Sequence, residues 1–148
     1  MMQLRNAIAE KVGFLSRILD VTHDVIWVMD ISGNFLYVSP SVEKLRGFSV
    51  EEVMAQPAFS AIHDEDRRLV ERVFATGVEL IEKGVTRIPP GKVRLRQLCK
   101  DGSFVWTEVI ADYVFNDSRE FLFVLGFSRN IQDQVACEEK LKKLETGV

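Results

Sequence analysis

Apolar positions recur along this chain in two rhythms, every three to four residues in some stretches and every second residue in others, and each rhythm predicts its own kind of element. Leu4, Ile8, Val12, Leu15 and Leu19 follow the first rhythm, so residues 1–22 read as an N-terminal amphipathic helix. Its stripe needs a cover, either from its own domain or from the same helix of a second chain. From residue 25 the pattern shortens. Residues 25–29 form an apolar run, Asp30, Ser32, Gly33 and Asn34 supply turn chemistry, and residues 35–38 form a second run, which together predict a hairpin. Strict alternation puts Phe35, Tyr37 and Ser39 on one face and Leu36 and Val38 on the other.

Ser39-Pro40-Ser41 resets the chain, because proline suits the first turn of a helix, and Val42, Leu45 and Arg46 then fall at helical spacing before Gly47. Ser49 with Glu52 three residues on matches a capping box and starts a second short helix that Pro57 bounds. Asp64, Glu65 and Asp66 favour the start of a longer helix, whose stripe continues through Leu69, Val70, Val73, Phe74, Leu80 and Ile81 and is weakened at Gly77. Pro89, Pro90 and Gly91 end it. Residues 92–100, 104–115 and 121–128 are rich in β-branched and aromatic residues, and Asp101-Gly102 and Asn116-Asp117-Ser118 join them into a three-strand meander. Residues 133–145 return to helix, charged, with Val135, Leu141 and Leu144 as a thin apolar edge. The order predicts an α+β fold, an antiparallel sheet covered on one face by the helical middle.

Composition narrows the class. With 148 residues, 47% apolar and 28% charged, the chain suits one globular domain that needs no disulfide or structural metal. Nineteen basic against 22 acidic residues leave a net charge of −3, so no general nucleic-acid partner is expected. Cys99 and Cys137 are far apart and outside any metal-ligand spacing, and no apolar run approaches the roughly 20 residues of a membrane span. A cytoplasmic setting without membrane contact is expected.

Four stretches carry a family resemblance: Trp27-Val28-Met29-Asp30 with Gly33; Tyr37-Val38-Ser39-Pro40 leading to Leu45, Gly47 and Phe48; Ser49-Val50-Glu51-Glu52-Val53; and Ile62-His63-Asp64-Glu65-Asp66. Lys100-Asp101-Gly102-Ser103-Phe104-Val105-Trp106 and Gly126-Phe127-Ser128-Arg129-Asn130-Ile131 follow in the same order. Together they resemble the PAS domain with its C-terminal PAC region over residues 23–132. The resemblance implies a five-stranded antiparallel sheet with helices over one face enclosing a small cavity, plus flanking helices, the last of them over residues 133–148. It also implies a sensory and dimerisation module of a longer signalling protein, such as a histidine kinase of a two-component system or a diguanylate cyclase. Two positions depart from the family's pattern. Asp64 stands where a proline is common, and the exit reads Asn130-Ile131-Gln132 rather than Asp-Ile-Thr, so the charged contact at the signal exit is lost or remade.

No nucleophile, acid/base pair or metal cluster is legible, so no enzyme is expected. His23 reads as a turn residue beside Asp24, and His63 as a helix-start residue. Residues 56–62 hold no cysteine, which excludes the flavin adduct that the resemblance would otherwise allow, and residues 64–84 hold no histidine for haem. No cofactor is expected. An unknown small ligand is compatible, and the alternative is a sensor holding haem, through His63, or a non-covalent flavin. A cavity between sheet and helices is expected to be lined by Ile26, Val28, Phe35, Tyr37, Phe59, Leu69, Val73 and Phe74. Leu4, Ile8, Val12, Leu15 and Leu19 are the candidate contacts of a homodimer. Trp27 and Trp106 could stack on a planar ligand or fill the core and sheet surface. Lys92, Arg94 and Arg96 share one face of a strand and read as solvated, with Glu108 placed to pair across.

Overall fold

A computed structural model describes residues 23–147 and, ahead of them, Gln3, Asn6, Ile8 and Glu10, all four helical. The elements run β1 (Val25–Met29), β2 (Phe35–Val38), α1 (Val42–Arg46), α2 (Val50–Met54), a 3₁₀ turn (Ala58–Ala61), α3 (Asp64–Glu82), β3 (Gly91–Leu98), β4 (Phe104–Phe115), β5 (Phe121–Asn130) and α4 (Gln132–Thr146). The five strands form one antiparallel sheet in the order β2-β1-β5-β4-β3, so the first hairpin adds to the last strand of the meander. This is the expected α+β architecture.

Local chemistry explains the joints. Ser39, buried where β2 ends, donates its N–H to the Ile26 carbonyl and accepts the Ile26 N–H on Oγ at 2.9 Å. Ser41 Oγ lies 2.8 Å from Ser39 Oγ and 2.8 Å from the Asp24 carbonyl oxygen, so two serines satisfy backbone groups that the shortened ladder leaves behind. Helix α1 closes at Gly47, whose φ of 80° is a left-handed conformation that glycine adopts without strain. The capping box at Ser49 and Glu52 is formed, with both bonds at 3.1 Å.

The sheet has two different faces. Towards the helical layer lie two apolar clusters, one built on Val25, Val38, Val42, Leu45, Val53 and Val105, the other on Ile62, Leu95 and Val109, and Trp27 packs against both. On the outer face Val28 and Leu36 pack with Ile8, and Tyr37, Phe123 and Leu125 surround them. Ile8 is 5% exposed, so at that position the N-terminal helix is covered by its own sheet. Leu4, Val12, Leu15 and Leu19 lie outside the described residues.

The hairpin corrects the expected faces. Trp27 pairs with Val38 and Val28 with Tyr37, but Met29 pairs with Phe35, because a bulge leaves Leu36 as an extra residue. Phe35 and Val38 therefore share the inner face while Leu36 and Tyr37 share the outer one. The basic residues of β3 are also not simply solvated. Lys92 pairs with Glu108 at 3.6 Å, Arg94 with Glu138 at 2.8 Å, and Arg96 with Glu65 and Asp66 at 2.8 and 3.0 Å.

The Trp27 indole packs on Gly126, where an added Cβ would overlap atoms of the ring. Gly126→Ala is expected to lower stability by about 2–3 kcal/mol through overpacking, read by urea unfolding. Gly91→Ala, whose added carbon meets nothing within 4 Å, serves as the control and is expected to change little.

Candidate ligand-binding site

The layer between sheet and helices leaves a cavity of about 310 Å³. Its floor is the inner face of the sheet: Val25, Trp27 and Met29 from β1, Val93, Leu95 and Gln97 from β3, Val109, Ala111 and Tyr113 from β4, and Val124 and Ser128 from β5. Its roof comes from Val42, Leu45, Arg46 and Val53 at one end, Phe59 and Ile62 in the middle, and Leu69, Val70, Val73 and Phe74 of α3 at the other. Phe59 meets Phe74 edge to face at 5.2 Å between centroids, which ties the 3₁₀ turn to α3. The floor is held by Trp27, which donates Nε1–H to the buried Ser128 Oγ at 3.1 Å and meets the Phe35 ring at 6.2 Å.

Helix α3 is fixed at its start and loose along its length. His63 caps it, accepting the Glu65 N–H on Nδ1 at 3.1 Å, while its own N–H donates to the Arg96 carbonyl at 2.9 Å. Asp66 accepts the Arg96 backbone N–H at 2.9 Å and its Nε–H at 3.0 Å on one oxygen, and Arg96 Nη2–H at 3.1 Å on the other. Both backbone groups of Arg96 on the sheet edge are thus paired by the start of α3, and its guanidinium, stacked 4.8 Å from the Trp106 ring, is shared with Glu65. Further along, only Gly77 of α3 is buried, at the point where Tyr113 crosses it. Leu69 and Val73 are 51% and 55% exposed although they line the cavity, so the wall between α3 and β3 is open to solvent. Burial pushes the Tyr113 hydroxyl up from its ordinary value.

Of the residues expected to line a cavity, Phe35, Phe59, Leu69, Val73 and Phe74 do so. Ile26, Val28 and Tyr37 do not. Val28 and Tyr37 pack with Ile8 on the outer face, and Ile26 shares the orientation of Val28 by alternation. Among the described residues five polar ones in the lining were not anticipated: Arg46, Lys92, Gln97, Tyr113 and Ser128. Two of them carried a signal. Arg46 follows Val42 by four residues on a buried helix face, and Gln97 continues the inward series Val93 and Leu95, so each is a polar residue at an apolar position.

Haem does not fit these residues. His63 is spent on the α3 cap, and its ring packs edge to face on Phe104 at 4.7 Å, away from the cavity lining. Among the described residues no cluster of three or more metal-ligating side chains occurs. The cavity volume stands at the low end of ligand pockets, which suits a small apolar molecule better than a haem or flavin ring system. Cys99 is a free, half-buried thiol that packs on the inner core, and Cys137 is free and exposed.

The exit is remade with neutral groups. Asn130 Oδ1 accepts the Gln132 N–H at 2.9 Å, Gln132 Oε1 accepts the Trp106 N–H at 3.0 Å, and the buried Ile131 donates its N–H to the Trp106 carbonyl at 3.0 Å. Beside them Arg129 pairs with Asp24 at 3.1 Å. Helix α4 then runs out with no buried residue, and Leu141 and Leu144 are exposed.

The family model for the PAS fold matches residues 13–131. Among the curated proteins none matches this chain. Among solved structures, the chain is similar to the PAS domain of a protein from Colwellia psychrerythraea, at 22% identity and a TM-score of 0.63, covering 82% of this chain and 98% of that one. It is similar to a sensory box histidine kinase/response regulator from Burkholderia thailandensis E264, at 20% identity and a TM-score of 0.65, over 88% and 94% of the two chains. It is also similar to the N-terminal domain of a diguanylate cyclase with PAS/PAC sensor from Marinobacter aquaeolei, at 25% identity and a TM-score of 0.58, over 75% and 97%.

The clamp at Asp66 generates a pH-dependent expectation. Burial alone would raise this carboxyl, but the side-chain and backbone bonds from Arg96 outweigh it and hold Asp66 below its ordinary value. A depressed carboxylate stabilises the fold above its unfolded pKa of about 3.9 and loses that contribution as the pH falls through the lower folded value. Asp66→Asn should therefore cost about 2 kcal/mol at pH 7, and the variant and native curves should converge in acid, as followed by urea unfolding across that range.

Proposed function

Because the chain belongs to the PAS-fold family, we propose that it is a cytoplasmic sensory and dimerisation module relaying a ligand- or partner-dependent change to a C-terminal output domain of the histidine kinase or diguanylate cyclase type. The observation that carries this reading is the placement of cavity and exit on opposite faces of the same strands. Val93 and Leu95 of β3 and Val109 of β4 line the cavity, while between them Arg94 turns outward and grips Glu138 of α4 with bonds of 2.8 and 3.2 Å. On β4 the Trp106 backbone bonds both Ile131 and Gln132 at the root of that helix. An occupant that shifts β3 and β4 therefore moves the two attachments of α4. The histidine kinase and the diguanylate cyclase among the similar structures support the choice of output.

No catalysis is proposed. His23 is a turn residue with φ 59°, and His63 serves as a helix cap. The proposed dimer uses the N-terminal stripe at Leu4, Val12, Leu15 and Leu19. Ile8 leaves that set because its own sheet already buries it.

Filling the cavity imitates an occupant. Ala111→Phe, on the inner face of β4, is expected to change amide exchange in the first turns of α4 by about fivefold, equivalent to about 1 kcal/mol. Unchanged protection of α4 in the folded variant would remove the relay. For the dimer, sedimentation should show self-association of the native domain and monomers after Val12→Glu with Leu19→Glu. A native domain that stays monomeric at high concentration would remove dimerisation from the proposal.

A further inference from the structure

Among the described residues Arg46 is the one charged side chain that the fold buries without a partner for its charge. It is 5% exposed, yet among the described residues no carboxylate pairs with it. Its Nε–H donates to the Leu98 carbonyl at 2.9 Å, and its guanidinium carbon lies 5.1 Å from the Phe48 ring centroid. Its Nη2 is shielded from solvent and has no hydrogen-bond partner among the described residues. Burial pulls its pKa down, as expected of a cation removed from water without a counter-ion. Such a group carries a desolvation cost that a bound anion would offset.

The same side chain lines the cavity, whose remaining walls are mostly apolar. The lining follows β3 from Gln97 beside the Arg46 end to Gly91 near the open wall at α3, six residues or about 20 Å of strand. Gln97 adds a side-chain amide that makes no hydrogen bond among the described residues. The space is thus long, greasy, open at one end and cationic at the other.

We infer that the cavity takes a medium-chain aliphatic carboxylic acid, its carboxylate bonded at the terminal nitrogens of the Arg46 guanidinium and its chain lying along β3 towards Leu69, Val73 and Tyr113. This rests on the cavity being the ligand site of the proposed sensor. A carboxylate suits the position because Nε is already committed to Leu98, which leaves the terminal nitrogens to meet one small planar anion. Among the described residues the lining holds no second arginine, and its one lysine, Lys92, sits at the far end of β3 beside Glu108. A more highly charged headgroup therefore finds no further partner at the Arg46 end.

The test compares decanoate with 1-decanol, which has the same chain and no charge, by titration calorimetry on the 148-residue chain. Decanoate is expected to bind at least about tenfold more tightly, the scale of one charge-assisted bond. Arg46→Met should abolish that preference, bringing the ratio of decanoate to decanol affinity to about one. As a second measurement on the native protein, decanoate labelled with ¹³C at the carboxyl should titrate at lower pH when bound than when free. Equal affinity for acid and alcohol, a preference retained in Arg46→Met, or an unshifted carboxyl titration would each overturn the role of Arg46 while leaving the cavity as a ligand site. Failure of both probes to bind would overturn the cavity reading itself.

Discussion

The indole of Trp27 holds the inner layer of this domain together. It packs against both apolar clusters of the inner face, rests on the bare backbone of Gly126, and ties to β5 through Ser128 at 3.1 Å. A side chain at Gly126 would lift the ring off the central strand, and with it the floor on which α1, α2 and the 3₁₀ turn rest. Large aromatic rings supply contact area at low conformational cost, so one well-seated tryptophan can link two clusters that touch little otherwise. The cavity exists because that floor is firm while part of the roof is thin.

The roof is uneven for an electrostatic reason. At its start α3 is bound to the sheet edge by Arg96, Asp66, Glu65 and the His63 cap, a network of charge-assisted bonds that also closes an edge strand against further pairing. Its remaining turns bury only Gly77. A helix clamped at one end and half exposed along its apolar side can swing without breaking its anchor, which suits the wall of a cavity that must admit a molecule.

The outer face gives the proposed relay its physical route. Alternation along β3 places Leu95 at the cavity and Arg94 on α4, so a displacement of one peptide unit is felt on both sides. At the exit the missing acid is replaced by Asn130, whose side-chain oxygen caps the first N–H of α4, and by Gln132, which reaches back to Trp106. These bonds are neutral, and the ionic hold moves to Arg94 with Glu138 and Arg129 with Asp24. Arg96, Arg94 and Lys92 act in three separate contacts although they share one strand face, because each reaches a different element: the start of α3 at the sheet edge, α4 across the outer face, and the neighbouring strand β4.

The order and kind of the elements, the Ser49–Glu52 box, the Gly47 stop and the α3 stripe that faces the cavity were all legible in the amino-acid sequence. Each depends on residues within a turn or two of one another, where backbone sterics and side-chain reach act alone. The faces of β1 and β2 were not. Alternation reports that Val25, Trp27 and Met29 lie together and apart from Ile26 and Val28, but which set turns inward was decided by the helical layer. The bulge at Leu36 then split Phe35 from Tyr37, which unbroken alternation had placed on one face. The partners of Arg94 and Arg96 lie 44 and 30 residues away, and only the folded chain brings them within bonding distance. Arg46 shows the same division. Its place on an apolar helix face is written locally, while the absence of a counter-ion among the described residues is a property of what packs around it, because electrostatic pairing is settled by distance in space.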